Sequence, residues 1–144
     1  MKVIKNYIDG QLISPVFDQY IENVDPSRGK VYSMIPDSTT EDVELAVAAS
    51  EKAFPIWSSW SKEKRSDVMM KVAQLIEDRL DIFADAESLD NGKPVSLAKS
   101  VDIPRAVSNF RFFATGILHF ASESHYMESE GFNYTTRKPI GIVG

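Results

Sequence analysis

The side chains able to do chemistry unaided are few in this sequence, and their spacing argues against each self-contained site. His119 and His125 are the two histidines. They miss the i, i+4 spacing that places two imidazoles on one helical face for zinc, and no acidic ligand motif frames them. They read as partly exposed histidines at a helix end. The complete lack of cysteine removes disulfides, thiolate metal ligands and a cysteine nucleophile. No serine sits in a Gly-x-Ser-x-Gly elbow, and no Ser-His-acid set is suggested. Gly141 and Gly144 lack the third glycine and the following helix of a dinucleotide fingerprint. They suit a strand packed closely by its neighbours better than a phosphate cradle. The acidic pairs Glu41-Asp42 and Glu77-Asp78 fall on predicted helix surfaces as solvated faces, whereas glycoside hydrolysis needs two carboxylates facing across a cleft. Phe110, Phe112 and Phe113 would need a basic groove to act as a base-stacking platform, and their helical spacing favours core packing.

Composition narrows the classes further. At 144 residues and 43% apolar content the chain has single-domain size and can bury a core without staples. The net charge of −5, with both signs mixed along the chain, provides no footprint for nucleic acid and no basic amphipathic stretch for a membrane surface. Asn6, Asp9 and Gly10 interrupt the opening before a secretory apolar region can form. No run approaches membrane-spanning length. The expectation is a cytoplasmic chain with no nucleic-acid or membrane partner.

The elements follow from three changes of period. Residues 1–35 read as β ribbons and turns. Tyr7-Ile8 and Leu12-Ile13 flank Asp9-Gly10, a tight-hairpin pair, and Phe17 to Val24 and Lys30 to Ile35 flank the Asp25-Pro26-Ser27-Arg28-Gly29 turn. Residues 38–121 read as helices. Ser38 and Glu41 suggest a capping box for a first helix ending near Phe54-Pro55. Ser61 caps a second, whose apolar face continues to Leu89, with a break expected near Leu80-Asp81. Leu89-Asp90-Asn91-Gly92-Lys93-Pro94 ends that run, since Gly takes the left-handed conformation freely and Pro94 cannot extend the helix. Ser96 to Ser100 could make a helical turn. Asp102 and Pro104 then resemble a new N-terminus for a helix with a wide apolar stripe from Val107 to Ala121. Ser122 to Gly131 reads as irregular, and residues 132–144 as β, interrupted at Pro139, with Ile140 to Gly144 as a buried parallel strand.

Five blocks in order carry a resemblance. They are the Asn6-to-Gly10 hairpin, the Val24-Asp25-Pro26 turn, Ala53-Phe54-Pro55-Ile56-Trp57, Glu87 to Pro94, and Arg137 to Gly144. Together they are similar to the N-terminal part of the aldehyde dehydrogenase superfamily. Asp25 and Arg28 stand where its turn more often has Asn and Thr. Ser96-Leu97-Ala98, Asp102 to Arg105 and Asn109 to Ala114 resemble the branch acting on 2-hydroxymuconic and 2-aminomuconic semialdehydes, with betaine-aldehyde enzymes more distant.

The resemblance implies an α/β fold fragment: N-terminal β ribbons, amphipathic helices and one severed C-terminal strand leading into a cofactor domain. It implies an enzyme that attacks an aldehyde with a Cys thiolate, passes hydride to NAD or NADP and hydrolyses the thioester with a Glu base. The chain itself has no cysteine and no Pro-Trp-Asn or Lys-Pro-Ser-Glu segment. It is therefore expected to be inactive alone, with no catalytic residue and no bound cofactor. Two site expectations survive. Arg105 would grip the carboxylate of an acidic semialdehyde through paired hydrogen bonds, the alternative being an exposed first-turn arginine. The Val24 carbonyl and Asp90 carboxylate would contribute to a monovalent cation site, the alternative being an Asx-type turn made by Asp90. Self-association over the Val107-to-Ala121 stripe and the Ile140-to-Val143 strand is expected, because both are patterned to be covered. The competing function is a stand-alone helical binding module without chemistry.

Overall fold

In the computed structural model, which describes residues 1–144, the chain begins with ribbons. β1 (Lys2–Val3) runs parallel to β5 (Lys30–Pro36), which pairs antiparallel with β4 (Tyr20–Asp25), giving the order β1-β5-β4. Between them β2 (Asn6–Ile8) and β3 (Gln11–Ile13) form the expected hairpin. Asp9 and Gly10 at its tip both have positive φ, 49° and 78°, as a primed two-residue turn requires. The second turn is knotted by Asp25, whose Oδ1 accepts from the Ser27 amide at 2.8 Å and the Ser27 hydroxyl at 2.6 Å. Those bonds, the hydroxyl's first, lower the pKa of this buried carboxyl.

Helix α1 (Thr40–Ser59) starts one residue later than the Ser38 and Glu41 pattern suggests. Thr39 is the N-cap, and its amide donates to Asp42 Oδ2 at 2.9 Å. Asp42 wins because it also ties down the ribbon, accepting from the Val16 amide at 2.9 Å and Asn6 Nδ2 at 3.4 Å. The helix also runs through Pro55 instead of ending there. Proline loses its own N–H bond and crowds the carbonyl four residues back, but only one turn follows it here, and that turn is held by Ser59 Oγ donating to the Ile56 carbonyl at 2.8 Å and by Trp57 packing on Trp60.

α2 (Lys62–Glu77) is capped by Ser61, which accepts from the Lys64 amide at 3.2 Å. The break before α3 (Leu80–Asn91) falls at Asp78-Arg79, beside the expected Leu80-Asp81, with Arg79 at the N-cap; the Asp81 carboxylate pairs with Lys99. Gly92 ends α3 in the left-handed conformation, φ 78°, its amide donating to the Ser88 carbonyl at 2.9 Å. A short turn α4 (Val95–Leu97) and a π-helical segment (Ala98–Asp102) then lead without interruption into α5 (Ile103–His119). No fresh cap is needed at Asp102, and its carboxylate accepts from Lys93 at 2.7 Å. α5 stops before Ala121.

The C-terminal part departs most from expectation. Residues within the supposedly irregular stretch form β6 (Ser124–Met127), which pairs antiparallel with β7 (Gly131–Tyr134), and no strand follows from Thr135 to Gly144. A strand is defined by its ladder, and Ile140 to Val143 have no neighbouring strand to bond; Ile140 is 94% exposed and Val143 83%.

The core is small. Only 11 of 144 residues are buried, and four of the six apolar ones are alanines, Ala73, Ala84, Ala98 and Ala114. The accessible surface is 10828 Å² for 16.1 kDa, where a closed monomer of that mass would expose about 7,400 Å². Roughly 3,400 Å² more than expected is open, a quantity comparable to an obligate interface. No helix is long and apolar enough to cross a membrane.

Candidate functional site

The C-terminus of α3 lies against the β4–β5 ribbon, and this junction gathers most of the residues singled out above. Gly92 makes the approach possible, since a Cβ there would stand 3.0 Å from Pro26 Cγ and 3.4 Å from the Ser27 amide nitrogen. Asp90 Oδ1 then accepts from Tyr32 Oη at 2.7 Å and from Asn23 Nδ2 at 3.3 Å, while Asn23 Nδ2 also reaches Tyr32 Oη at 2.8 Å. The hydrogen bond to Asp90, followed by burial, raises the Tyr32 pKa above its ordinary 10.0. The phenol therefore stays protonated and donates to the carboxylate.

Val24 sits beside Asn23 at the irregularity in the β4–β5 ladder between Asn23 and Val24. The fold thus brings the β4 backbone at Val24 and the Asp90 carboxylate to one junction, with Asn23 as the link. Asp90 Oδ2 accepts no protein hydrogen bond. Nowhere do three His, Asp or Glu side chains assemble into a metal-holding group, so a cation here would depend on backbone oxygen beside the one carboxylate, a hard-oxygen set. The Asx turn expected at Asp90 is made by its neighbour: Asn91 Oδ1 accepts from the Lys93 amide at 3.0 Å. Asp90 is committed across the junction instead, which is why its local turn is left to Asn91.

Arg105 occupies the first turn of α5, exposed, with no hydrogen bond or ion pair. Arg111, on the same helix, shows the contrast. It holds Glu77 with both guanidinium nitrogens, at 3.0 and 2.6 Å, and reaches Gln74 Oε1 at 3.3 Å, tying α5 to α2. The helix start that carries Arg105 is held by Lys93, whose ammonium donates to Asp102 at 2.7 Å and Glu87 at 2.9 Å. Those bonds, Asp102's first, raise the Lys93 pKa above 10.5. Arg105 is thus a free planar donor on an anchored helix, able to take a carboxylate in a bidentate pair.

The structure does not unite the two expected sites through any shared hydrogen bond. Sequence reasoning missed Tyr32, Asn23 and the Lys93 clamp. The Asn-Gly-Lys-Pro run marked the turn, but nothing in it announced partners on a ribbon more than fifty residues earlier. His119 ends α5 and His125 lies in β6, and neither is hydrogen-bonded through its ring.

A comparison with known families places this geometry. The model described as "Aldehyde dehydrogenase family" matches residues 14–144, and the chain belongs to that family. Within it, the chain is 46% identical to the 2-aminomuconic semialdehyde dehydrogenase of Homo sapiens, over 99% of its own length and 29% of that protein's. Among solved structures, the NAD+ complex of an aldehyde dehydrogenase from Bacillus cereus aligns with TM-score 0.91 and 29% identity, covering 96% of this chain and 29% of the other. PnpE from Pseudomonas sp. WBC-3 aligns with TM-score 0.89 and 33% identity, covering 97% and 28%. The chain therefore spans less than a third of the length of the relatives it matches.

Proposed function

We propose that this chain is the N-terminal segment of an NAD(P)-dependent dehydrogenase that oxidises an aldehyde, specifically a muconic-type semialdehyde, to its acid. The observation that carries the reading is the 46% identity to a 2-aminomuconic semialdehyde dehydrogenase sustained over 99% of the chain. In this reading residues 1–35 supply the ribbons, residues 38–121 the helical scaffold and residues 132–144 the approach to the cofactor domain. The setting is the cytoplasm. NAD, bound in the Bacillus cereus relative, or NADP, accepts the hydride in the complete enzyme. We assign no cofactor contact and no catalytic residue to residues 1–144.

The chain contributes position and selectivity. Arg105 is the substrate-binding residue of the proposal: with no hydrogen bond or ion pair within residues 1–144, its guanidinium can pair with a substrate carboxylate. Val24 and Asp90 are proposed to share a monovalent cation, for which Asp90 Oδ2 is the available side-chain oxygen. Without a cysteine the residues present cannot form the thiohemiacetal from which hydride leaves. Self-association through the uncovered surfaces belongs to the same proposal and is supported by the roughly 3,400 Å² of surplus surface.

The test is to mix the purified chain with NAD or NADP and a set of acidic and neutral aldehydes and follow the reduced nicotinamide. No turnover is expected. Measurable turnover by residues 1–144 contradicts the proposal, because the chain would then have chemistry of a different kind.

A further inference from the structure

One continuous helical run, made of α4, the π-helical segment and α5, extends from Val95 to His119 and carries three lysine or arginine side chains. Lys99 pairs with Asp81, and Arg111 pairs with Glu77. Arg105 alone is unpaired, although a carboxylate, Asp102, stands three residues before it. The backbone at Asp102 is right-handed helical, φ −70° and ψ −51°. Side chains three apart on a helix are neighbours, with Cβ atoms about 5–6 Å from each other, a spacing at which Asp and Arg pair readily.

What keeps the two apart lies outside the run. Lys93 follows the Gly92 turn, and its ammonium donates to Asp102 Oδ2 at 2.7 Å and to Glu87 Oε1 on α3 at 2.9 Å. Its side chain is only 26% exposed and that of Asp102 34%, whereas Arg105 is exposed. The Lys93 pair is therefore the more sheltered of the two that Asp102 could make, and the less screened by water and salt. With Lys93 in place, the charges of Lys93, Arg105, Glu87 and Asp102 cancel. Without it, two carboxylates lose their cation, and Asp102 has Arg105 on its own helix face to turn to.

We infer that Lys93 is a positioning residue that sets substrate specificity: by holding Asp102 it keeps the Arg105 guanidinium open to a substrate carboxylate. The inference rests on the reading of Arg105 as the residue that receives that carboxylate. Lys93 acts through Asp102 and makes no contact with substrate. Once Asp102 is released, an internal carboxylate competes with the substrate's for one planar fork of donors. An aldehyde without a carboxylate does not enter that competition.

The test uses a chimera in which residues 1–144 replace the matched segment of the human relative, assayed with 2-hydroxymuconic semialdehyde and with hexanal, a neutral aldehyde of the same carbon count. The quantity read is the ratio of the acidic to the neutral KM, which a general loosening of the fold does not shift in one direction. Lys93→Met should raise this ratio by about two- to fivefold, the strength of an exposed ion pair now competing with substrate. Lys93→Arg keeps a cation for both carboxylates and should hold the ratio near the parent's. Lys93→Met combined with Asp102→Asn removes the competitor and should bring the ratio back. Should Lys93→Met fail to fold, Lys93→Gln, which drops the charge and keeps a donor for Asp102, carries the same expectation. Arg105→Ala separates the two readings. If it raises the ratio while Lys93→Met does not, or if the rise in Lys93→Met persists in the double variant, the role of Lys93 is overturned and that of Arg105 stands. If Arg105→Ala leaves the ratio unchanged, the reading of Arg105 fails and the inference falls with it.

Discussion

Gly92→Ala is the most informative single change, because the structure separates its two costs. The residue sits at φ 78°, where an L-residue with a Cβ pays about 1 kcal/mol or more. The new Cβ would also stand 3.0 Å from Pro26 Cγ, and either the Pro26 ring or α3 must move, an overpacking cost of about 1–3 kcal/mol. The expected total is about 2–4 kcal/mol, which for a chain of this length lowers the thermal midpoint by about 6–12 °C. Gly10→Ala isolates the first cost, since Gly10 has the same φ of 78° with nothing within 4 Å of a built Cβ. It should lose about 1 kcal/mol, or about 3 °C. Pro26→Ala isolates the second: added to Gly92→Ala it removes the Cγ contact, so the double variant should recover part of the loss. Urea and thermal unfolding of the parent, the three single variants and the double variant, followed by circular dichroism, read these values. Equal losses for Gly92→Ala and Gly10→Ala, with no coupling to Pro26, would refute the close packing of α3 on the ribbon turn.

Asp42 should make stability depend on acid. Hydrogen bonds, the Thr39 amide's first, hold its pKa below 3.8, so the anion stabilises the fold at pH above that value and the contribution is lost as pH falls through the lowered pKa. Asp42→Asn should therefore lower the urea midpoint at neutral pH and flatten its decline in acid; parallel profiles for the two proteins would remove Asp42 from the account. Arg105→Ala, made in a chimera carrying residues 1–144 in place of the matched segment of the human relative, should raise KM for acidic semialdehydes by about tenfold or more. Its KM for neutral aldehydes should hardly change, and equal effects on both would exclude the carboxylate role. Sedimentation of the isolated chain should show concentration-dependent association with binding of an apolar dye. A dye-silent monomer at high concentration would mean that the open surface is covered within one copy.

Local signals carried much of the fold. Asp9-Gly10 and the Asp25-to-Gly29 turn need positive φ at glycine, Ser61 supplies a cap, and Asn91-Gly92 a stop, all within a few residues of the structure they specify. The failures were tertiary. Asp42 displaced the Ser38 and Glu41 cap because it also holds Val16 and Asn6. Asp102 stands at the N-cap position of α5, but its side chain bonds Lys93 and no helix amide. The β6–β7 hairpin was hidden in a polar stretch, since both its strands are exposed along their whole length and show no buried face to pattern. Ile140 to Val143 carry the apolar run of a buried strand, but a strand forms only beside a partner. The site was legible to the same degree: Asp90 and Arg105 could be singled out, whereas Tyr32 and Asn23 could not, because their roles arise from the docking of α3 on the ribbon.

The decisive measurement is activity of the chimera in which residues 1–144 replace the matched 29% of the human 2-aminomuconic semialdehyde dehydrogenase, assayed beside the isolated chain. If the surplus surface of this chain is what the remainder of an aldehyde dehydrogenase covers, the chimera folds and reduces NAD with a muconic semialdehyde within about an order of magnitude of the parent's rate. The isolated chain then produces none. A folded chimera without activity, or turnover by the isolated chain, contradicts the account.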